Sequence, residues 1–218
     1  MSEGSDRPEV VITPESTEVT SGNEVQEKLI VAARVFSDLL KPTFGPKGLD
    51  KMMFKTDGTT SVTNDGAKIV AELLVKHPAA KMMVSMAESQ EEACGDGVTT
   101  TMLLCGALLI EAKGLLRKGL HPLTLVDGYS TSFEVSKEQI LRDSIETEQA
   151  HLLSVSETAL SGKVAEGAIS IFPNMIVEAL STIYENRGEA RAEHVSMFKT
   201  GTGSIRDSRL VQGVILKK

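Results

Sequence analysis

HPAAKMMVSMAESQEEACGDGVTTTMLLCGALLIEAKGLL, residues 77–116, decides the fold. His77-Pro78 starts a helix, since Pro in the first turn gives up only an N–H that has no partner there. That helix is predicted to run to about Cys94. Gly95-Asp96-Gly97 breaks it, and Val98 to Leu116 forms the next. Composition agrees with packed helices. Aromatic residues make up 4% with no Trp, while Met numbers 9, so the core is built from Leu, Val, Ala and Met. Met82, Met83 and Met86 are expected to fill gaps in that core.

Toward the N-terminus, residues 23–40 predict a helix whose apolar face is Leu29, Ala33, Phe36 and Leu40. Pro42, Gly45, Pro46 and Gly48 end it in an irregular loop. Met52 to Thr56 and Thr59 to Thr63 flank Asp57-Gly58, the dipeptide of a two-residue type I′ hairpin. Asn64-Asp65-Gly66 stands where an N-cap belongs, ahead of a helix over Ala67 to Leu74. Residues 1–21 read as a flexible tail, in which Val10-Val11-Ile12 offers one edge strand to a partner.

Toward the C-terminus, His121-Pro122 opens a helix reaching past Ile140, and a shorter one spans His151 to Leu160. Val164 to Tyr184 carries Ala165, Ala168, Phe172, Ile176, Ala179 and Ile183 on one face, with a kink or a division into two helices expected at Pro173. His194 to Thr200 and Leu210 to Leu216 read as strands around a turn at Gly201 and Gly203. The fold class is therefore mainly α with small β elements (α+β), and a second, smaller unit begins near residues 145–150.

Several functions are excluded. A net charge of -7 and a pI near 5.2 do not suit a nucleic-acid binder. No uninterrupted run reaches the ~18–20 apolar residues that cross a bilayer, so no membrane is expected. The polar, acidic N-terminus has neither signal-peptide nor transit-peptide character, which points to the cytoplasm. Cys94 and Cys105 make no disulfide framework, and the four histidines lack zinc-ligand spacing. A Walker A loop is missing, and Gly201-Thr202-Gly203 is a turn without the third glycine of a dinucleotide loop.

Three loop-to-helix junctions remain as candidates for chemistry: Thr43-Phe44-Gly45-Pro46-Lys47-Gly48, Asn64-Asp65-Gly66, and Gly95-Asp96-Gly97-Val98-Thr99-Thr100-Thr101. Free amides at a helix start, with the positive end of the helix dipole, suit a phosphate. A carboxylate beside phosphate makes sense when a cation lies between them, and Mg²⁺ takes one or two carboxylates plus phosphate oxygens. The residues thus predict a Mg²⁺-nucleotide site, with ATP as the expected nucleotide.

GPKGLDKM (45–52), TNDGA (63–67), HPAAKMMV (77–84) and GDGVTTT (95–101), in that order, resemble the equatorial ATP-binding region of group II chaperonin subunits, the thermosome and its eukaryotic relatives. The resemblance extends over roughly residues 20–218. It implies a tail at 1–21, the N-terminal half of an equatorial ATP-binding domain at 22–147 and the first segment of an intermediate domain at 148–218. It also implies that Asp96 holds Mg²⁺ and that Asp65 positions the attacking water. Gly45 and Pro46 match backbone that closes on the nucleotide, Thr99 and Thr100 match phosphate-binding threonines, and Asn64, Gly66, Gly97 and Val98 are expected to bind the nucleotide beside them. Ser161 and Gly162 match a segment near base and ribose, and Lys163 a γ-phosphate sensor. The implied activity is ATP-dependent folding of unfolded proteins in a ring with other chaperonin subunits.

Two departures qualify this. Val98 stands where the family usually has Thr, a lost hydroxyl expected to cost about 1.5–3 kcal/mol of binding. The 218 residues also read as an N-terminal portion, with the apical domain and a second water-positioning Asp lying beyond it in the family. Nucleotide binding with little or no turnover is therefore expected of this chain. The competing reading is a truncated paralogue that binds ATP without turnover as an assembly or regulatory partner. An apolar helix face without its cover is expected to pair with something.

Overall fold

Gly106, midway along one helix, has no side chain because another helix lies where that side chain would be. A Cβ there would sit 2.6 Å from Ser37 Cβ and 3.3 Å from the Ala33 carbonyl oxygen. This crossing of α4 (Val98–Arg117) on α1 (Asn23–Leu40) is the most extensive helix packing among the described residues. The computed structural model describes residues 21–55, 58–162 and 168–216. They divide into two compact units, the described residues of 21–44 with 49–127, and those of 45–48 with 128–216.

In the first unit α1 buries Ile30, Ala33, Phe36 and Leu40. Leu29, expected on that face, is only half-buried, and Ile30 takes its place. Thr43 Oγ1 donates to the Leu40 carbonyl at 2.7 Å, tightening the helix end into a 3₁₀ turn at Lys41–Thr43. β1 (Lys51–Phe54) pairs antiparallel with β2 (Thr60–Thr63), Met52 opposite Val62 and Met53 opposite Ser61. The Lys55 N–H donates to the Thr59 carbonyl at 2.9 Å and the Gly58 N–H to the Lys55 carbonyl at 3.0 Å. The link is thus longer than the two-residue turn expected, since Gly58 with φ 81° lies inside a loop that Lys55 and Thr59 close. Asp57 lies outside the described residues.

α2 (Gly66–Glu72) and α3 (Pro78–Cys94) complete the packing. Ile69, Val70, Met83, Ala87, Val98 and Met102 join the α1 face in one core. Fully burying a side chain such as Leu40 or Met102 contributes about 1.5–3 kcal/mol. The three methionines of α3 divide: Met83 is core, Met86 packs against it, and Met82 is exposed. By length and composition α4 would suffice to cross a bilayer, yet it turns Val98, Met102, Gly106 and Ala112 to the core. Both His-Pro steps are caps. Nδ1 of His77 accepts from the Ala79 N–H and Nδ1 of His121 from the Leu123 N–H, each at 3.2 Å.

α5 (Pro122–Asp143) is continuous through the division and buries none of its side chains among the described residues. In the second unit α6 (Gln149–Leu160) packs on α7 (Phe172–Arg187). His151 Nδ1 accepts from the Glu148 N–H at 3.1 Å, which fastens the α6 start. Pro173 lies in the first turn of α7, where its missing N–H costs nothing, so it opens a helix instead of kinking one. Ala168, Pro173, Val177 and Ala179 are buried, whereas Ile176 is exposed; Ala165 lies outside the described residues, as do Val10, Val11 and Ile12.

The strands expected at 194–200 and 210–216 do not form. Both segments are irregular; one 3₁₀ turn, Ala192–His194, ends on the first residue of the first segment, and another, Ile205–Asp207, lies between the two. A β-prone sequence becomes a strand only against a partner that takes its N–H and C=O groups, and none pairs with them among the described residues. Gly201 and Gly203 accordingly sit in a bend and not in a hairpin turn.

Candidate functional site

Asp65 is the N-cap of α2. Its Oδ1 accepts from the Lys68 N–H at 3.1 Å, and its own N–H donates to Thr63 Oγ1 at 3.1 Å. β2 therefore delivers the carboxylate and α2 orients it, leaving Oδ2 without a hydrogen bond among the described residues. Gly66 follows, fully buried, and the reason is tertiary. A Cβ on Gly66 would collide with Thr99 Oγ1 and lie 3.3 Å from both the Thr99 Cβ and backbone nitrogen. The start of α2 is thus seated on the first turn of α4, and two of the three sequence junctions meet.

The Gly95-Asp96-Gly97 loop is shaped by two left-handed residues. Gly95 (φ 66°) closes α3, its N–H donating to the Glu91 carbonyl at 2.8 Å, and Gly97 (φ 84°) opens α4. A residue with a Cβ is strained in that conformation, so both must be glycine. Between them Asp96 is exposed but held at two points. Its Oδ1 accepts from the Gly97 N–H at 2.7 Å, and its carbonyl accepts from Gln90 Nε2 at 2.8 Å. No side chain caps α4, so the Val98, Thr99 and Thr100 amides stand at an open helix start.

The Val98 side chain does not reach that opening. It is 3% exposed and packs in the core with Met83, Ala87 and Met102, leaving only its amide at the helix start. Thr99 is half-buried against Gly66, Thr100 is exposed, and Asn64 is half-buried ahead of Asp65. Gln90 went unnoticed in the sequence, because nothing local marks a helix-end glutamine as bonded six residues ahead.

In the second unit, Gly45 (φ 86°) accepts from the Gly48 N–H at 2.9 Å, which turns the Gly45–Gly48 loop. The Pro46 carbonyl lies 4.0 Å from where a Cβ on Gly162 (φ 73°) would stand, so these two candidates approach each other. The Ser161 N–H donates to the Glu157 carbonyl at 3.0 Å at the end of α6. Lys163 lies outside the described residues.

The donor set bears on the cation. Among the described residues no three His, Cys, Asp or Glu side chains gather to hold a metal. A cation at Asp96 would have to complete its shell with ligand and water oxygens. That suits Mg²⁺, which keeps water and takes one or two carboxylates together with phosphates. An uncapped helix start beside Asp96 is compatible with such a ligand. A separate groove of about 240 Å³, floored by Ala67, Val70, Ala71 and Ala87 and rimmed by Glu88, Glu91 and Glu92, does not include these residues.

A family model described as the TCP-1/cpn60 chaperonin family matches residues 36–218. The chain belongs to that family. Among curated relatives, the chaperonin chain is 36% identical over 215 residues to thermosome subunit beta of Thermococcus sp. (strain KS-8), covering 96% of this chain and 39% of the relative. It is 36% identical over 217 residues to the thermosome subunit of Pyrococcus horikoshii, with the same coverage. With thermosome subunit alpha of Aeropyrum pernix it shares 38% over 218 residues, again 96% of this chain and 39% of the relative. The chaperonin chain therefore spans about 39% of the length of these relatives.

Proposed function

We propose that this chaperonin chain binds Mg²⁺-ATP at the paired starts of α2 and α4, as the nucleotide-binding portion of a cytoplasmic chaperone subunit. The observation that carries this reading is the seating of Gly66 on Thr99, which joins a carboxylate-bearing helix start to one with uncapped amides. The Val98, Thr99 and Thr100 amides and the Thr99 and Thr100 hydroxyls would take phosphate oxygens, with Asn64, Gly66 and Gly97 lining their approach. Asp96, with one oxygen committed to the Gly97 N–H, would hold Mg²⁺ through the other. The ion supplies charge neutralisation between carboxylate and phosphate. Asp65, anchored through Oδ1, would orient a water with Oδ2 for in-line attack, so that its part in catalysis is positioning.

Gly45, Pro46, Ser161, Gly162 and Lys163 enter the proposal on the family resemblance alone. The same ground supports an equatorial portion at 22–147 and an intermediate segment at 148–218. Assembly with other chaperonin subunits and action on unfolded proteins are proposed from the thermosome relatives.

Calorimetry of ATP binding with Mg²⁺ and with EDTA tests the site. Asp96→Ala is expected to weaken Mg²⁺-dependent binding about 10- to 100-fold, the range for losing an interaction with a charged group. Asp143→Ala, on exposed α5, should leave it unchanged. Equal affinity for Asp96→Ala, or binding indifferent to Mg²⁺, would refute the assignment.

A further inference from the structure

We infer that Gln90 is a positioning residue for the Asp96 carboxylate, an inference that rests on the proposed Mg²⁺-nucleotide site and deepens it. Asp96 sits between two left-handed glycines, the residues with the most backbone freedom to lose on ordering. Its own carboxylate bond to the Gly97 N–H is strictly local and moves with the loop. The bond from Gln90 Nε2 to the Asp96 carbonyl is different, because it ties the loop to the last full turn of α3. The same Nε2 lies 3.1 Å from where a Cβ on Gly97 would stand, so the amide packs over the residue that starts α4. One side chain therefore fixes the carbonyl before Gly97 and lies against Gly97 itself. With Oδ1 engaged, that leaves Asp96 a single carboxylate oxygen, Oδ2, without a hydrogen bond among the described residues. Gln90 sets where that oxygen points.

The bond is at the surface and links neighbouring turns, so its loss affects loop order more than global stability. Gln90→Met keeps length and helix propensity but removes the donor. Gln90→Glu keeps the shape and sets an acceptor against the carbonyl. Ser89→Ala, which removes a hydroxyl bonded within α3 to the Ser85 carbonyl, is the control.

Two measurements on the full chain test the inference. Native-state hydrogen exchange at the Gly97 amide, which donates to Asp96 Oδ1, should quicken about three- to tenfold in both Gln90 variants, the scale of one hydrogen bond, with thermal midpoint unchanged. The Mg²⁺ concentration giving half-maximal ATP binding should rise by a similar factor, while ATP binding in EDTA stays at the wild-type level. Unchanged exchange in Gln90→Met refutes the clamp whatever the nucleotide data show. Faster exchange with a wild-type Mg²⁺ requirement refutes the positioning role. Faster exchange in a protein whose wild type shows no Mg²⁺-dependent ATP binding overturns the inference through the site reading it rests on.

Discussion

Gly66→Ala tests the contact that unites the two helix starts. The added methyl would occupy the place of Thr99 Oγ1 and press to 3.3 Å on the Thr99 Cβ and nitrogen. The hydroxyl has another rotamer available, but the Cβ and nitrogen move only with the first turn of α4. Forcing one methyl into a packed contact costs about 1–3 kcal/mol. Replacing Gly by Ala in a helix returns up to about 1 kcal/mol, less at the first position, so the net loss is expected at about 0.5–2 kcal/mol. Urea unfolding of the full chain reads this as a lower midpoint at constant slope, and heating as a fall of about 2–4 °C per kcal/mol. Thr99→Ala removes the hydroxyl and should relieve part of the strain, so the double variant is expected to show a coupling of at least about 0.5 kcal/mol. A Gly66→Ala protein as stable as wild type or more so would refute the close seating. An equal loss in both Thr99 backgrounds would show that the strain lies elsewhere.

Three further outcomes follow from other positions. Gly106→Val should destabilise by about 1–3 kcal/mol in urea unfolding, because its side chain meets Ser37 and the Ala33 carbonyl; Ser37→Gly should restore part of the loss, and a neutral Gly106→Val would contradict the α1–α4 crossing. Burial pushes the Cys105 thiol up from its ordinary value, whereas Cys94 is exposed, so maleimide should label Cys94 first by mass spectrometry. Since the folded thiol holds its proton more tightly than the unfolded one, its stabilising contribution is full below the unfolded pKa. It is lost as pH rises through the folded value, and Cys105→Ala should flatten the alkaline decline in stability.

Sequence and structure agree where short-range physics decides. His77-Pro78 and His121-Pro122 start helices because a proline ring and a histidine Nδ1 two residues from its target amide are local devices. Gly95 and Gly97 break the α3–α4 run for the same kind of reason, as the tolerance of positive φ that both turns use is a property of glycine itself. Asp65 caps α2 from the position its spacing predicted. Where a partner is required, local reading falls short. Residues 194–200 and 210–216 have strand composition but pair with nothing among the described residues, and periodicity put Leu29 on the buried α1 face where Ile30 belongs.

The amino-acid sequence by itself thus determined the helical order, the caps and the glycine break that leaves Asp96 beside an uncapped helix start, because each depends on residues within one or two turns of one another. Only the tertiary structure decided that Gly66 is seated on Thr99, that Val98 spends its side chain on the core, and that Gln90 holds the Asp96 carbonyl. The first two depend on which helices pack, and the third on the direction one side chain takes from a helix end. No spacing rule carries that information, since the energy that selects the first two is the burial and close packing of the α1–α4 core, and the third is a surface bond made once α3 and the loop are in place.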